Sequence, residues 1–375
     1  MRNFTFKRAN LATAYCDSLE GKGIANARSG LFLTGPRRVG KSTFLREDLM
    51  PEAIARDWVT VYVDLWSNKL TDPFLLITEA VKTTIAAHKG KLRKLIQLKK
   101  INILKTVELD FSKPGLPDNI TLADLLSDLI RLAGKPVLLL IDEAQHALTT
   151  ATGISAMFSI KSARDQINVS SKAPELMLVL TGSNRDKLAQ LVIKKDQPFF
   201  GSDITAFPLL GRDYTDFFTD NINKSLVANN QFSKDSMWEA FQLVGHRPEI
   251  LRELAGRVAL SNEASSFSHL LKQDVSIWQG RIWQEFENDF NRLTLLQRVI
   301  LTLLIEQGQA CSPFSEDSMQ YYKQAINQEN LSVSTVQTAI QSLREQGFIW
   351  QSNRGAYVLE DASFAEWFKR VVSHK

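Results

Sequence analysis

The segment Gly35-Pro36-Arg37-Arg38-Val39-Gly40-Lys41-Ser42 sets two glycines, a lysine and a hydroxyl at the spacing G-x-x-x-x-G-K-[ST]. It follows the apolar run GLFLT at 30–34 and precedes a helical segment running from Ser42 to Met50. No other stretch constrains the fold as much. The glycines let the backbone curl until successive N–H groups converge, and the helix that follows adds the partial positive charge of its N-terminus. Such a loop needs a strand before it and a helix after it, which commits this part of the chain to an α/β design. Its natural ligand is a phosphate chain. Lys41 would reach the β- and γ-phosphates, and Ser42 would ligate Mg²⁺.

Further apolar runs agree with that design. Residues 58–65 (WVTVYVDL), 137–141 (VLLLI) and 176–181 (LMLVLT) are continuous rather than alternating, and helix-length segments such as 71–88 and 121–133 lie between them. Continuous apolar strands are buried on both faces, so residues 1–210 read as a parallel sheet flanked by helices. Residues 88–120 stand out as an insertion. The run Lys89–Lys105 holds seven basic residues and no acidic one, with a strand-like alternation after it at 101–111. From 211 to 289 helical periodicity takes over, with Pro248 suited to a first helical turn. Residues 290–375 give three helices, at 293–307, 315–328 and 332–346, and then a hairpin signal across Ser352–Gly355. That is the pattern of a winged helix-turn-helix.

The run at 137–141 ends in Asp142-Glu143. Ligands of open parallel sheets bind beyond the carboxyl ends of the strands, where these two acids emerge. Asp142 fits a Mg²⁺-holding acid, and Glu143 fits a base that orients and deprotonates an attacking water. A second carboxylate dedicated to water favours hydrolysis over phosphotransfer. The run at 176–181 leads into Gly182-Ser183-Asn184-Arg185, where Asn184, or next Ser183, is placed to hold that water or sense the γ-phosphate. Either is equally suited to capping the helix that follows. Arg185, Arg212 and Arg247 are candidates to stabilise phosphate charge. His146 is either a helix-start residue or a neighbour of the site. Trp278, Trp283, Phe286 and Phe290 stripe one long helix as packing residues.

Charge and composition narrow the remaining classes. Two cysteines in 375 residues, Cys16 and Cys311, exclude a disulfide framework or a cysteine-based zinc site. The start lacks the apolar core of a signal peptide, and no apolar run approaches the roughly 20 residues of a membrane span. A cytoplasmic protein without membrane contact is the expectation. The net charge of +4 is carried by residues 1–210, whereas residues 290–375 balance eight basic against eight acidic residues. Ser332, Ser334, Gln337, Gln341 and Arg344 on the third helix could meet base edges, yet affinity for nucleic acid rests mainly on phosphate neutralisation. Contact with protein is therefore as good a reading of the winged helix as contact with DNA. The basic run at 89–105 is the better polyanion candidate, set against a plain solvated face.

Taken in order, GPRRVGKST, VYVDLW, LLLIDEAQ, LTGSN, QPFFG, LLGRDYTDFF and GHRPEIL, closed by a winged helix, resemble the archaeal-type ATPases. These are AAA+-like P-loop NTPases near the signal-transduction (STAND) ATPases. The resemblance implies an ATPase core at 1–210, a helical lid at 211–289 and a winged helix at 290–375. It implies ATP and Mg²⁺ as ligands, with Gly35, Pro36, Arg37, Arg38, Val39, Gly40, Lys41, Ser42 and Thr43 around the nucleotide. Ser42 and Asp142 would sit at the metal and Lys41 and Glu143 at the reaction, to which the reading of the strand end adds Asn184. Pro248 would belong to a Gly-Gly-x-Pro-like lid motif, with His246 where the second glycine is usual. Ser202 stands where Pro-Leu-Tyr-Gly-Arg has its arginine. The expected function is a slow ATP-hydrolysing switch coupled to lid and winged-helix position, with nucleotide-dependent self-association or a protein partner on the winged helix. The alternative is a nucleotide-dependent DNA-binding regulator or a mobile-element or defence adaptor with negligible turnover.

Overall fold

The continuous apolar runs become the strands of one parallel sheet. The computed structural model describes residues 5–22, 26–68, 70–95, 115–116, 120–169, 171–227, 230–261, 266–353 and 355–372. Strands β1 (Leu31–Thr34), β2 (Val59–Asp64), β3 (Val137–Asp142), β4 (Leu176–Gly182) and β5 (Ile204–Ala206) lie in the order β2-β3-β4-β1-β5. Every neighbouring pair is parallel. The short edge strand β5, Ile204-Thr205-Ala206, is only partly buried, so it left no apolar run to read.

Both faces of the sheet are covered, as continuous strands require. Along β3, Leu139 and Ile141 enter one core, with α4 (Pro73–Leu95), α5 (Leu122–Ala133) and α6 (Ala151–Asn168). Leu138 and Leu140 enter the other, with α1 (Ala9–Glu20) and the helical stretch that follows the glycine loop. That stretch is α2 (Lys41–Phe44), a π-helical turn (Leu45–Leu49) and α3 (Met50–Ala55). Helix α7 (Arg185–Ile193) starts where β4 ends. The helix expected at 71–88 continues through residues 89–95 as α4. Residues 96–105 of the basic run, and the strand expected at 101–111, lie outside the described residues.

A second core joins α8 (Arg212–Asn223), α9 (Lys234–Leu243), α10 (Pro248–Ala259) and the first half of α11 (Phe267–Arg292). A third gathers the far end of α11, α12 (Leu295–Gln307), α13 (Glu316–Ala325), α14 (Val333–Glu345), the antiparallel hairpin β6 (Ile349–Asn353) and β7 (Ala356–Leu359), and α15 (Ala362–Trp367). Helix α11 serves both cores and runs through the boundary expected at 289/290. Val275 and Trp278 pack with the second core; Trp283, Phe286 and Phe290 pack with the third. The aromatic stripe on this helix is therefore packing.

Candidate nucleotide site and its seam with the winged helix

The loop between β1 and α2 is shaped by two left-handed residues. Gly40 has φ 92° with open space where a Cβ would stand, and Arg38 has φ 66°. Lys41, nearly buried, turns its Nζ onto the loop's own carbonyls, Gly35 O and Pro36 O, both at 2.7 Å. Burial pulls its amine down to about 8, against the opposing pull of the Glu143 and Asp142 charges. A cation held only by neutral acceptors has no counter-ion among its bonds, so its charge is available to an incoming anion, whose arrival favours the protonated amine. Ser42 is half-buried beside it and Thr43 is exposed.

The sheet order puts β4 between the loop strand β1 and the acid strand β3, so its end residues touch both. Asp142 is buried, with both oxygens engaged: the Thr181 hydroxyl donates to Oδ1, and Tyr62 OH donates to Oδ2 at 2.9 Å. Burial, then the Asp142 charge, push the Tyr62 phenol well up, which keeps it a donor. Glu143 leaves β3 at φ 54°, a left-handed conformation costing about 1 kcal/mol or more for a residue with a side chain. That bend carries its carboxylate toward β4. There Oε2 accepts from the Ser183 hydroxyl at 2.7 Å, from Ser183 N at 3.3 Å and from the Gln145 side-chain amide. Gly182 leaves room for this arrangement, because a Cβ there would stand 2.7 Å from Gln145 Oε1 and push the amide aside.

Asn184 makes the cap contact that the sequence allowed it. Its side chain accepts from Lys187 N at 2.9 Å and caps α7, while the neighbouring Ser183 holds Glu143. Pro248 opens α10 and lines a cavity of about 630 Å³ with residues 38–44, Glu143, Leu210, Tyr214, Glu249 and Arg252. That volume falls in the range of small-molecule sites. His246 adopts φ 55°, a left-handed conformation that favours glycine, and its Nδ1 lies 2.9 Å from Leu210 O. His146 stands in a short 3₁₀ turn with its ring 4.0 Å from that of Trp66.

Several wall residues left no signature in the sequence. Phe6 and Arg8 line the same cavity; Arg8 N donates to Asp48 Oδ1 at 2.8 Å, and its guanidinium lies 4.9 Å from the Phe207 ring centroid. Asp64 ends β2 in register with Asp142. Burial raises its carboxyl and the Asp142 and Glu143 charges push the same way, against the Trp66 N–H it accepts. The run VYVD ends in an acid just as VLLLID does, a parallel that could have singled it out.

The three candidate arginines part company. Arg212 pairs with Asp235 and Asp216, and Arg247 with Asp361 Oδ2 at 2.9 Å. Arg185 stays beside the site: its N–H donates to Glu360 Oε1 at 3.3 Å and its guanidinium sits 5.8 Å from the Trp350 centroid. On the third winged-helix helix, Arg344 is withdrawn from solvent, its Nε 2.8 Å from Asp186 Oδ1, which also accepts Gln351 N at 3.1 Å. Of the residues considered for base contact, Ser332 caps α14 and bonds Ser334, while Gln341 accepts from Arg344 and donates to Glu345. Cys16 and Cys311 are buried free thiols. Among the described residues, no helix is long and apolar enough to cross a membrane.

The fold and its terminal module have counterparts. Residues 284–370 match the family model described as a probable winged helix domain. The Walker-type ATPase PABY2304 of Pyrococcus abyssi is 20% identical, with 98% of this chain and 97% of that one covered at a TM-score of 0.57. The ADP form of the Aeropyrum pernix ORC2 protein is 13% identical, with 98% and 93% covered at a TM-score of 0.56. No curated protein matches the chain in sequence. The chain thus shares the fold of these archaeal structures, a five-stranded parallel sheet flanked by helices and followed by a winged helix domain.

Proposed function

We propose that the chain binds ATP on residues 35–43 and hydrolyses it slowly, and that lid and winged helix respond to the nucleotide. The observation that carries this reading is the convergence of Lys41, Asp142 and Glu143 at one end of the sheet, with Ser183 bridging to Glu143. The donors around a metal would all be hard oxygens, the Ser42 hydroxyl and the Asp142 carboxylate, with Asp64 alongside, which suits Mg²⁺. Mg²⁺ keeps several waters and takes phosphate oxygens, so the lack of a cluster of three or more metal-binding side chains among the described residues accords with it. When bound, the ion supplies charge neutralisation on the phosphates.

The chain's own groups do the rest. The loop N–H groups and Lys41 bind and orient the phosphates. Glu143, with Oε2 clasped by Ser183 and Gln145, is left to accept a water proton at Oε1. Phe6, Arg8, Tyr214 and Arg252 close the cavity around the rest of the nucleotide. Arg38 in the loop and Glu249 in the lid lie 3.7 Å apart, tying loop to lid.

For the winged helix, the docked Arg344 favours an intramolecular protein contact over DNA. The test is ATP turnover and nucleotide retention, with and without DNA. Glu143→Gln should keep ATP bound while hydrolysis falls at least tenfold, and Lys41→Ala should lose both. Normal turnover by Glu143→Gln removes the proposed base. DNA binding with negligible turnover, in the presence or absence of DNA, would restore the regulator reading.

A further inference from the structure

The acid that ends β3 is held by a ring from the neighbouring strand. Tyr62 stands on β2 in register with Leu140, on the sheet face that Leu138 and Leu140 turn toward the loop helix. Those two leucines bring no polar atom to that face. Tyr62 does, and its O–H donates to Asp142 Oδ2 at 2.9 Å. The other oxygen, Oδ1, accepts from the Thr181 hydroxyl and from Glu143 N at 3.2 Å. The Tyr62 ring also meets the loop helix. The Arg46 guanidinium lies 6.0 Å from the ring centroid, and Arg46 Nε donates to Ser42 O at 3.3 Å. One side chain thus links Asp142 to the turn of helix that carries Ser42.

We infer that Tyr62, with Thr181, is a positioning residue for the metal-holding acid and sets how strongly Mg²⁺ tightens nucleotide binding, which rests on residues 35–43 being a nucleotide site. An ionised carboxylate offers about four acceptor positions, and O–H and N–H donors take three of those on Asp142. Held on both oxygens, the group cannot turn freely, so its remaining acceptor capacity keeps one direction. Mg²⁺ tolerates little departure from octahedral geometry, and a carboxylate already oriented loses no freedom when the ion arrives. Both hydroxyls are neutral, so they orient the acid without discharging it. Hydrogen bonds of this kind behind a metal-holding group are worth roughly 10- to 100-fold in metal affinity. Removing the phenol O–H frees Oδ2 to turn, and the loss falls on the metal-dependent part of binding.

The experiment measures binding of a non-hydrolysable β,γ-imido ATP to the full chain with Mg²⁺ and in EDTA, and takes the ratio of the two affinities. Tyr62→Phe keeps the ring and removes only the hydroxyl. It should lower the ratio by roughly tenfold, while affinity in EDTA changes less than about twofold. In an Asp142→Ala background the same substitution should leave the ratio unchanged, because a residue acting through Asp142 then has nothing to position. An unchanged ratio in Tyr62→Phe, or a wild-type ratio already near one, overturns the inference while nucleotide binding stands. So does a further fall in the double variant, which would put Tyr62 on the ligand itself. Should Tyr62→Phe fail to fold, Thr181→Val takes its place: a lowered ratio supports the clamp, and an unchanged one overturns it. If Lys41→Ala binds the analogue as wild type does, the nucleotide site is wrong and the inference falls with it.

Discussion

Buried charge is handled in opposite ways at the phosphate loop and at the winged-helix seam. In the loop, Lys41 is held by two neutral carbonyls, and Asp142 by a hydroxyl and a phenol. Neutral partners satisfy the geometry without cancelling the charge, so cation and acids remain electrostatically available to a ligand. At the seam, Arg344 and Asp186 are both largely buried and cancel each other, and Gln351 N takes up spare acceptor capacity on Asp186. Neither of these two ions is left over for a ligand. One region is arranged to receive charge and the other to hold two domains together.

Truncating a buried ion in each region should therefore give opposite outcomes. Asp186→Ala strands Arg344 and should cost about 3–5 kcal/mol, measured by denaturant unfolding, with the winged helix becoming susceptible to limited proteolysis. The double substitution Asp186→Leu with Arg344→Met should recover only part of this, since Gln351 N still loses its acceptor. Lys41→Ala should change unfolding by no more than about 1 kcal/mol, yet lower nucleotide affinity by about 1.5–3 kcal/mol, roughly 10- to 150-fold. If Lys41→Ala destabilises as much as Asp186→Ala, the loop lysine is a structural ion and the contrast fails.

A pH series sharpens the comparison. The Glu360 carboxyl is raised in the folded chain to about 7, so its contribution to docking is full below its ordinary value near 4.5 and is lost as pH rises through about 7. Winged-helix protection from proteolysis should weaken from pH 5 to pH 8, and less so in Glu360→Gln. A protection profile flat across that range would assign docking to the ion pair alone.

How far the sequence disclosed all this follows from the range of each interaction. The loop, β3 with its acids and the three winged-helix helices are local patterns, carried by spacing and by runs of apolar residues, so their places could be read directly. The flanking cores followed from continuous strands, as Leu138 to Ile141 show by alternating between two cores. What was hidden depends on residues distant in the chain. Arg344 looked like a reader of bases because its partner Asp186 lies 158 residues away. Phe6 and Arg8 meet the cavity only through the folding of α1 against the loop helix. Glu360 is an unremarkable acid after a hairpin until the seam sets it on α7. Edge strand β5 was hidden for the opposite reason: it is too short and too exposed to need an apolar run.

The smallest effect decides between neighbours at the end of β4. In the sequence, Asn184 came ahead of Ser183 as the polar group at the strand end, and either was equally suited to capping the helix. In the structure Asn184 bonds Lys187 N, whereas Ser183 donates to Glu143. Asn184→Ala should cost about 1 kcal/mol of stability, the usual value of a helix cap, and leave turnover per folded molecule unchanged. Ser183→Ala should do the reverse, with little loss of stability and a several-fold fall in kcat at constant nucleotide affinity. In a Glu143→Gln background, Ser183→Ala should have no further effect on turnover, because a residue acting through Glu143 has nothing left to position. Additive losses in that double variant would mean that Ser183 touches water or phosphate itself. The carboxylate clasp would then be incidental, and the loop region would contain one more ligand-facing group than the contrast with the seam allows.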